Sequence, residues 1–452
     1  MFWKKAGVAA GLSLYFLLVY GLCNWITSLR HGVGTFRFAW ERHIPFVPLM
    51  ILPYMSIDLF FVAAPWFCAG RADLRTLGWR ILAAITFAGL FFLLFPFRVG
   101  FVAPQVHGFL GLIFNKFRGM DKPYNEFPSL HIALLFILAD LYLRRFAGAA
   151  RAILAGWFAL IGLSAVLTYQ HQVMDVAGGA ILGVFCLHLI QNRPLSRSTT
   201  GNWRVFAYYF CGAAVCMALA VAWRPWSLLL FYPAASLALV AAGYAGFGAG
   251  IFRKRRGRLP WTTWATLWPV LLAQRLSLRY YALQSDAWSV LPGGLYFGRK
   301  LTRAEARQAV AAGVVAVVDL CGEFAEPRAL RDIAYQQMRV LDLTAPTLRQ
   351  QQRAVHFIEC QLKRGGVLVH CKAGYSRTAA IAGAYLLHSG RVTTAADALA
   401  MLQAARPRIV VRPEARRAIQ RYEIENGRQP GAKRSAQQNS NAVIGGAAGR
   451  GP

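Results

Sequence analysis

Negative charge is the scarcest feature of this sequence. Its 452 residues hold 19 Asp and Glu against 50 Lys and Arg, a formal net charge of +31, and only 15% are charged at all. So little charge beside 56% hydrophobic residues and 13% aromatics excludes an ordinary soluble enzyme and disfavours a disordered chain. Paired-cysteine motifs are missing as well. The eight cysteines include no Cys-x-x-Cys, so neither a disulfide framework nor a zinc site is indicated, and no metal or cofactor is expected. Cys23, Cys68, Cys186, Cys211 and Cys216 lie in apolar runs and read as small hydrophobes. A cleavable leader is not indicated either. The apolar run after MFWKK is about 20 residues long, beyond a typical leader core, and no Ala-x-Ala follows. It reads as a retained first span.

Long apolar runs fill residues 6–252. Further spans are expected near 46–69, 80–100, 129–147, 152–171, 174–192, 205–223 and 227–252, making about eight in all. The marginal span 129–147 carries Asp140, and another carries Asp58, which in an apolar span is costly enough to indicate either a functional role or a bond to Arg80 or a backbone group. Arginines flank the spans in GRADLRTLGWR, LRRFAGAAR and RKRRGR, the pattern of cytoplasmic loops. Anionic lipid headgroups, not nucleic acid, are therefore the expected partner of the basic charge. The expected fold is an all-α polytopic membrane domain over 1–252 followed by an α/β domain over 285–426. A basic linker and an interfacial amphipathic segment, WTTWATLWPVLLAQRLSLRYY, join them over 253–284, and a disordered Gly/Ala/Gln/Asn/Ser-rich tail occupies 427–452. Strand-like VVAVVDL and GGVLVH alternate with helix-like runs in the second domain, which is the α/β signature. A bacterial inner membrane, with the α/β domain cytoplasmic, is the expected location; oligomeric state is left open.

One stretch of the second domain carries chemistry. In LVHCKAGYSRTAA, residues 368–380, a buried strand runs into a helix through Cys-x5-Arg with Gly374 inside. Consecutive backbone N–H groups of Lys372, Ala373, Gly374, Tyr375 and Ser376, at a helix N-terminus, make a nest for a tetrahedral oxyanion. The same positive field favours a thiolate at the base of the loop, which makes Cys371 the candidate nucleophile. Arg377 can close the ring with paired hydrogen bonds to phosphate oxygens.

His-Cys-x-x-Gly-x-x-Arg-Thr between a strand and a helix resembles the dual-specificity branch of the protein tyrosine phosphatase superfamily, over roughly 288–425. The resemblance implies that Cys371 attacks phosphorus, Arg377 binds the phosphoryl group, His370 orients the thiolate and Thr378 assists breakdown of the phosphocysteine. It also implies a general acid on a loop well before the cysteine. Asp342, 29 residues before Cys371, fits that placement, and Asp319 at the end of VVAVVDL competes. Lys372 resembles the loop cation of family members acting on phosphoinositides or phosphatidylglycerophosphate, whereas Tyr375 departs from them.

Two motifs stand upstream at the mouths of spans that run in the same direction: FPSLH, 127–131, and YQHQVMD, 169–175. His171 and Asp175 are four apart, so in a helix the carboxylate would hold the imidazole N–H. The pairing resembles the type 2 phosphatidic acid phosphatase superfamily, most of all its inositol phosphorylceramide and sphingomyelin synthase branch, over about 80–195. That resemblance implies His171 as nucleophile, Asp175 as its orienting partner, His131 as proton donor and Ser129 as helix cap and phosphate contact. No Lys-x6-Arg-Pro precedes FPSLH, and Ser164-Ala165 stands where Ser-Arg is expected. Arg98, Lys116, Arg118 and Lys122 are the cations left to bind phosphate, Arg98 and Lys122 foremost.

The sequence thus predicts a bifunctional membrane phosphatase acting on a phospholipid substrate. Two alternatives stay open: a lipid headgroup transferase with a fused phosphatase, and a signalling protein phosphatase held at the membrane. With Lys4 and Lys5 inside, eight spans put the cysteine loop inside and FPSLH and YQHQVMD outside, although Arg30, Arg37 and Arg42 run against that count.

Overall fold

The computed structural model describes residues 1–427 apart from 103, 121, 193, 194, 196, 199 and 224. The tail expected over 427–452 lies outside the described residues except for its first position, which closes the last helix. Two compact units divide the chain, one of residues 1–195, 214–235 and 261–267, the other of residues 196–213, 236–260 and 268 onward.

The first unit is helical. It is built from α1 (Phe2–Ser28), α2 (Ile51–Phe67), α3 (Arg71–Leu94), α4 (Gly108–Met120), α5 (Leu130–Arg145), α6 (Gly148–Leu167) and α7 (Val173–Leu189), with two-residue strands β1 (Gly34–Thr35) and β2 (Phe97–Arg98) paired in parallel. Helices α8 (Trp203–Ala222) and α9 (Phe231–Ala242) follow. Among the described residues six helical stretches are long and apolar enough to cross a membrane: Phe2–Ser28, Pro48–Phe67, Arg71–Leu94, Gly148–Leu167, Trp203–Ala222 and Ser227–Phe252. The other two expected spans, near 129–147 and 174–192, are α5 and α7, shorter at 16 and 17 residues. The third span begins at Arg71 and not near 80. GRADLRTLGWR is helix because the Asp73 carboxylate accepts the Ala69 N–H and so closes the first turn.

Glycine sets the closest approach in this unit. A Cβ on Gly179 of α7 would stand 2.3 Å from the Ser129 carbonyl oxygen, and one on Gly183 would stand 2.8 Å from that of Ala133. Bare backbone lets α7 lie directly on α5, as small-residue stripes do in apolar surroundings. The backbone N–H of Ser129 donates to the Asp175 carbonyl (3.0 Å), which locks the two helix starts together. Asp140 on α5 is held by Arg80 and Arg144, each at 2.9 Å. Arg80 thus serves Asp140, and Asp58 is exposed on α2 instead of paired with Arg80.

The second unit is an α/β fold. Strands β3 (Trp288–Leu291), β4 (Leu295–Arg299), β5 (Val314–Cys321), β6 (Ala334–Val340) and β7 (Gly366–Cys371) form one sheet in the order β3-β4-β7-β5-β6, with only β3 antiparallel. Central strands β5 and β7 are mostly apolar because helices cover both faces; Asp319 and His370 near their C-terminal ends are the exceptions. Val318 and Val369 pack under α13 (Leu348–Leu362), α14 (Ser376–His388), α15 (Ala395–Ala405) and α16 (Pro413–Gly427), and Val317 and Leu368 under α11 (Arg303–Ala311) and the single turn α12 (Arg328–Arg331).

The expected basic linker is corrected by this fold. Arg253–Arg258 forms a tight turn closed by the Arg255–Arg258 bridge, and Lys254 is 1% exposed. The Gly257 N–H donates to the Gln337 side chain, and the Gly257 carbonyl accepts the Glu326 N–H, so the turn is docked on the sheet. A chain committed to those bonds is not a free polybasic tether. The amphipathic segment is one helix, α10 (Trp261–Gln284), which continues through Pro269.

Candidate active sites

Cys371 ends the central strand β7 and is 3% exposed. The chain turns through Lys372–Tyr375 and enters α14 at Ser376. Gly374 makes the turn feasible: its φ is +72°, and a Cβ there would stand 2.5 Å from the Gly298 carbonyl carbon. Ser376 donates its hydroxyl to the Val410 carbonyl and accepts the Arg412 N–H, which fastens the loop to the chain after α15. Cys371, Ala373, Tyr375, Ser376 and Arg377 line a cavity of about 190 Å³ together with Asp342, Tyr281 and Arg412.

Arg377 is 2% exposed and fully engaged. Its guanidinium donates to the Glu323 carboxylate at 2.9 and 3.4 Å, to the Val340 carbonyl at 2.8 Å and to Asp342 Oδ1 at 3.1 Å. Burial opposes its charge, but Glu323 and Asp342 more than offset that and hold it firmly cationic. Asp342 also accepts from Lys372 Nζ at 3.3 Å. Burial pushes the Asp342 carboxyl up; Arg377 and Lys372 outweigh it, so its pKa lies below the ordinary carboxylate value. Thr378 is fully buried, with its hydroxyl donated to the Gly298 carbonyl (3.4 Å).

Asp319, the competing acid, stands elsewhere. It is fully buried, bound by the Lys254 ammonium and the Tyr335 hydroxyl, and accepts the Cys321 N–H at 2.8 Å. His370 sits beside this cluster, 3.4 Å from Glu326 Oε2 and 3.9 Å from Asp319 Oδ1. Glu326 is buried too, yet Lys300, His370 and Lys254 hold its pKa well below the usual range. Asp319, Cys321 and His370 bring metal-ligand atoms within 4.8 Å of one another. The cation actually among them is the ammonium of Lys254, which donates to Asp319 and to the Cys321 carbonyl.

At the helical site the two motifs meet. Ser129 caps α5 by accepting the Ile132 N–H (3.3 Å), and His131 in the first turn stacks on Tyr54 at 4.2 Å between ring centres. The His131 and His171 rings are 6.4 Å apart. The helical spacing expected of His171 and Asp175 is corrected. Helix α7 starts only at Val173, so His171 precedes the cap and Asp175 belongs to the first turn, where Oδ2 accepts the Gln172 N–H (3.0 Å). Facing His171 Nδ1 at 3.3 Å is Glu126, a residue the sequence reading passed over. Glu126, His171 and Asp175 bring their polar atoms within 4.8 Å of one another. Glu41, fully buried, accepts the Val173 N–H at 2.6 Å and adds a carboxylate at the α7 start. Arg98 is exposed, but its carbonyl accepts from Gln172 at 3.4 Å; Lys122 donates to the Ser28 hydroxyl at the end of α1.

Residues 77–196 match the family model of the PAP2 superfamily, and residues 295–425 match that of the dual specificity phosphatase catalytic domain. The chain therefore joins a PAP2-type segment to a dual-specificity phosphatase catalytic domain. Among curated proteins it is similar to the tyrosine-protein phosphatase CDC14 of Candida albicans, 38% identical over 85 residues, 19% of this chain and 16% of that one. It is also similar to dual specificity protein phosphatase 19 of Mus musculus, 31% identical over 116 residues, 25% of this chain and 52% of the relative. The match spans at most about half the length of these relatives. Similar solved structures include Tk-PTP in its active form (25% identity, 31% of this chain and 97% of that one, TM-score 0.29) and PTPMT1 (21% identity, 33% and 99%, TM-score 0.29). Both of these curated relatives are phosphatases by name, as is the family matched over residues 295–425.

Proposed function

We propose that the chain is a bifunctional membrane phosphatase with a cysteine-based phosphomonoesterase site and a histidine-based phospholipid site. What carries the first half is the single cavity that holds Cys371, Arg377 and Asp342. In this reading Cys371 Sγ attacks phosphorus and the P–O bond to the leaving group breaks, while Asp342 delivers the proton to the departing oxygen. Water then attacks the phosphocysteine, Asp342 takes its proton, and the thiolate is restored. Arg377 changes partners: its fork moves from Asp342 to the phosphoryl oxygens while Glu323 keeps it in place. The substrate is a phosphate at a lipid headgroup, in keeping with Lys372 in the loop and the apolar helices of the same chain. No metal is invoked in either site.

In the helical half His171 is the nucleophile, Glu126 and Asp175 hold and polarise it, and His131 protonates the leaving group. Headgroup transfer is a second reading of this half, favoured by the missing Lys-x6-Arg-Pro before FPSLH and by Ser164-Ala165 in place of Ser-Arg. The test is lipid mass spectrometry of cells carrying wild type, Cys371→Ser or His171→Ala. Phosphomonoester lipids should accumulate only with Cys371→Ser, and turnover of the diacyl phospholipid should be lost only with His171→Ala. Full aryl phosphatase activity in Cys371→Ser protein would sink the cysteine assignment. Alcohol-dependent headgroup exchange without phosphate release would replace hydrolysis by transfer.

A further inference from the structure

Asp342 opens the loop after β6, and the proposed proton transfer rests on where that loop stands. Its holders lie upstream of the matched 295–425 segment. Tyr244 donates its hydroxyl to the Asp342 carbonyl (3.0 Å), and Asn202 donates its amide to the Leu343 carbonyl (2.9 Å). Both grip backbone, so they set where the carboxyl stands without competing for its proton. A third contact comes from α10, where the Gln274 carbonyl oxygen accepts from Lys372 (2.7 Å), the residue that also reaches Asp342. Gln274 in turn donates to the Tyr209 hydroxyl at 3.4 Å, and the Tyr209 ring stacks on that of Tyr244 at 5.7 Å and 12°. The holders thus brace one another. The loop needs bracing because Leu343 has φ of +56°, a left-handed conformation that a leucine keeps only when its surroundings hold it.

We propose that Asn202, just before α8, and Tyr244, just after α9, are positioning residues that hold the Asp342 loop in place for proton donation. The inference deepens the cysteine-site reading above and rests on Asp342 as the acid. It makes the catalytic unit larger than the phosphatase fold: the nucleophile and the phosphate cradle belong to 295–425, whereas the acid is aimed by chain that precedes it. A phosphatase built this way delivers its proton efficiently only when the preceding helices are folded.

The experiment uses the full chain purified in detergent, with Tyr244→Phe, Asn202→Ala and Asp342→Asn compared on 4-nitrophenyl phosphate and phenyl phosphate. The first leaving group departs with little help, the second needs a proton. Each positioning variant should slow phenyl phosphate about tenfold in kcat/KM and 4-nitrophenyl phosphate by less than about twofold. Added to Asp342→Asn, neither should cause further selective loss. Should Asn202→Ala fail to fold, Tyr244→Phe, which removes a single hydroxyl, carries the test alone. Equal slowing of both substrates, or slowing of neither, while Asp342→Asn stays selective, overturns the positioning role and leaves the cysteine site standing. Loss of selectivity in Asp342→Asn itself would instead remove the acid, and the positioning role with it.

Discussion

Arg377 donates to four acceptor atoms, and those bonds fix where its guanidinium stands. Two of those atoms belong to Glu323, whose carboxylate aligns the fork. Arg377→Lys should lower kcat/KM on an aryl phosphate on the order of a hundredfold, since a point charge cannot span two phosphoryl oxygens. Glu323→Gln keeps the shape and loses the charge; a loss of about tenfold in kcat/KM with the fold retained is the expected result. Asp342 gives a pH prediction. Burial raises its pKa, but Arg377 and Lys372 outweigh that and depress it, so the carboxyl is ionised at neutral pH and the proton it must donate becomes available only toward acid. Turnover of phenyl phosphate should therefore rise as pH falls from neutral, and Asp342→Asn should flatten that rise in a kcat/KM profile.

Helices α5 and α7 owe their contact to missing side chains. Gly179→Ala would force a Cβ into the Ser129 carbonyl, 2.3 Å away, and the two helix starts would have to part. Because His131 and His171 ride on those starts, phospholipid turnover should be lost while aryl phosphatase activity persists; unchanged lipid turnover would show that the approach does not set the site. Helix α11 shows a different device. Glu305 accepts from Arg299 at 2.8 and 3.0 Å and closes a capping box with Thr302. The hydrogen bonds from Arg299 bring its pKa down to about 2 against the burial that would raise it. A depressed carboxylate stabilises the fold above its unfolded value, near 4, and that contribution disappears as pH falls toward about 2. Glu305→Ala should cost about 1 kcal/mol at neutral pH in denaturant unfolding, and much less in strong acid.

The chain as a whole does not divide where its composition does. Apolar content changes near residue 252, yet Lys254 just beyond it is buried against Asp319, and the turn it belongs to is bonded to Gln337 and Glu326. Removing the ammonium leaves a buried carboxylate unpaired, so Lys254→Met should destabilise the phosphatase unit by about 3 kcal/mol or more in thermal or denaturant unfolding. An unchanged midpoint would show the pair to be dispensable. A fragment starting near 285 lacks this lysine and should be less stable than one starting near 250. The arginine bias predicts a membrane sidedness: a reporter after Arg145 should read inside and one after Lys122 outside, and an inside signal after Lys122 would overturn that topology.

His-Cys-x-x-Gly-x-x-Arg-Thr was readable because strand, turn and helix are consecutive in the chain. Apolar run length placed the helices for a similar reason, since a span is a property of one stretch, but their ends moved by several residues, most plainly the start of α3, set by the Asp73 cap. The partners of the reactive groups had no such signal. Glu323 reaches Arg377 across 54 positions, Lys254 reaches Asp319 across 65, and Tyr244 reaches Asp342 across 98. No periodicity links such residues, because they come from different elements and meet only through packing. His171 and Asp175 mark the boundary between the two kinds of information. Their four-residue spacing was visible and suggested a helical pair, but the cap at Gln172 left His171 outside the helix and put Glu126 at its ring. Local chemistry named the candidate nucleophiles, and long-range packing chose what surrounds them.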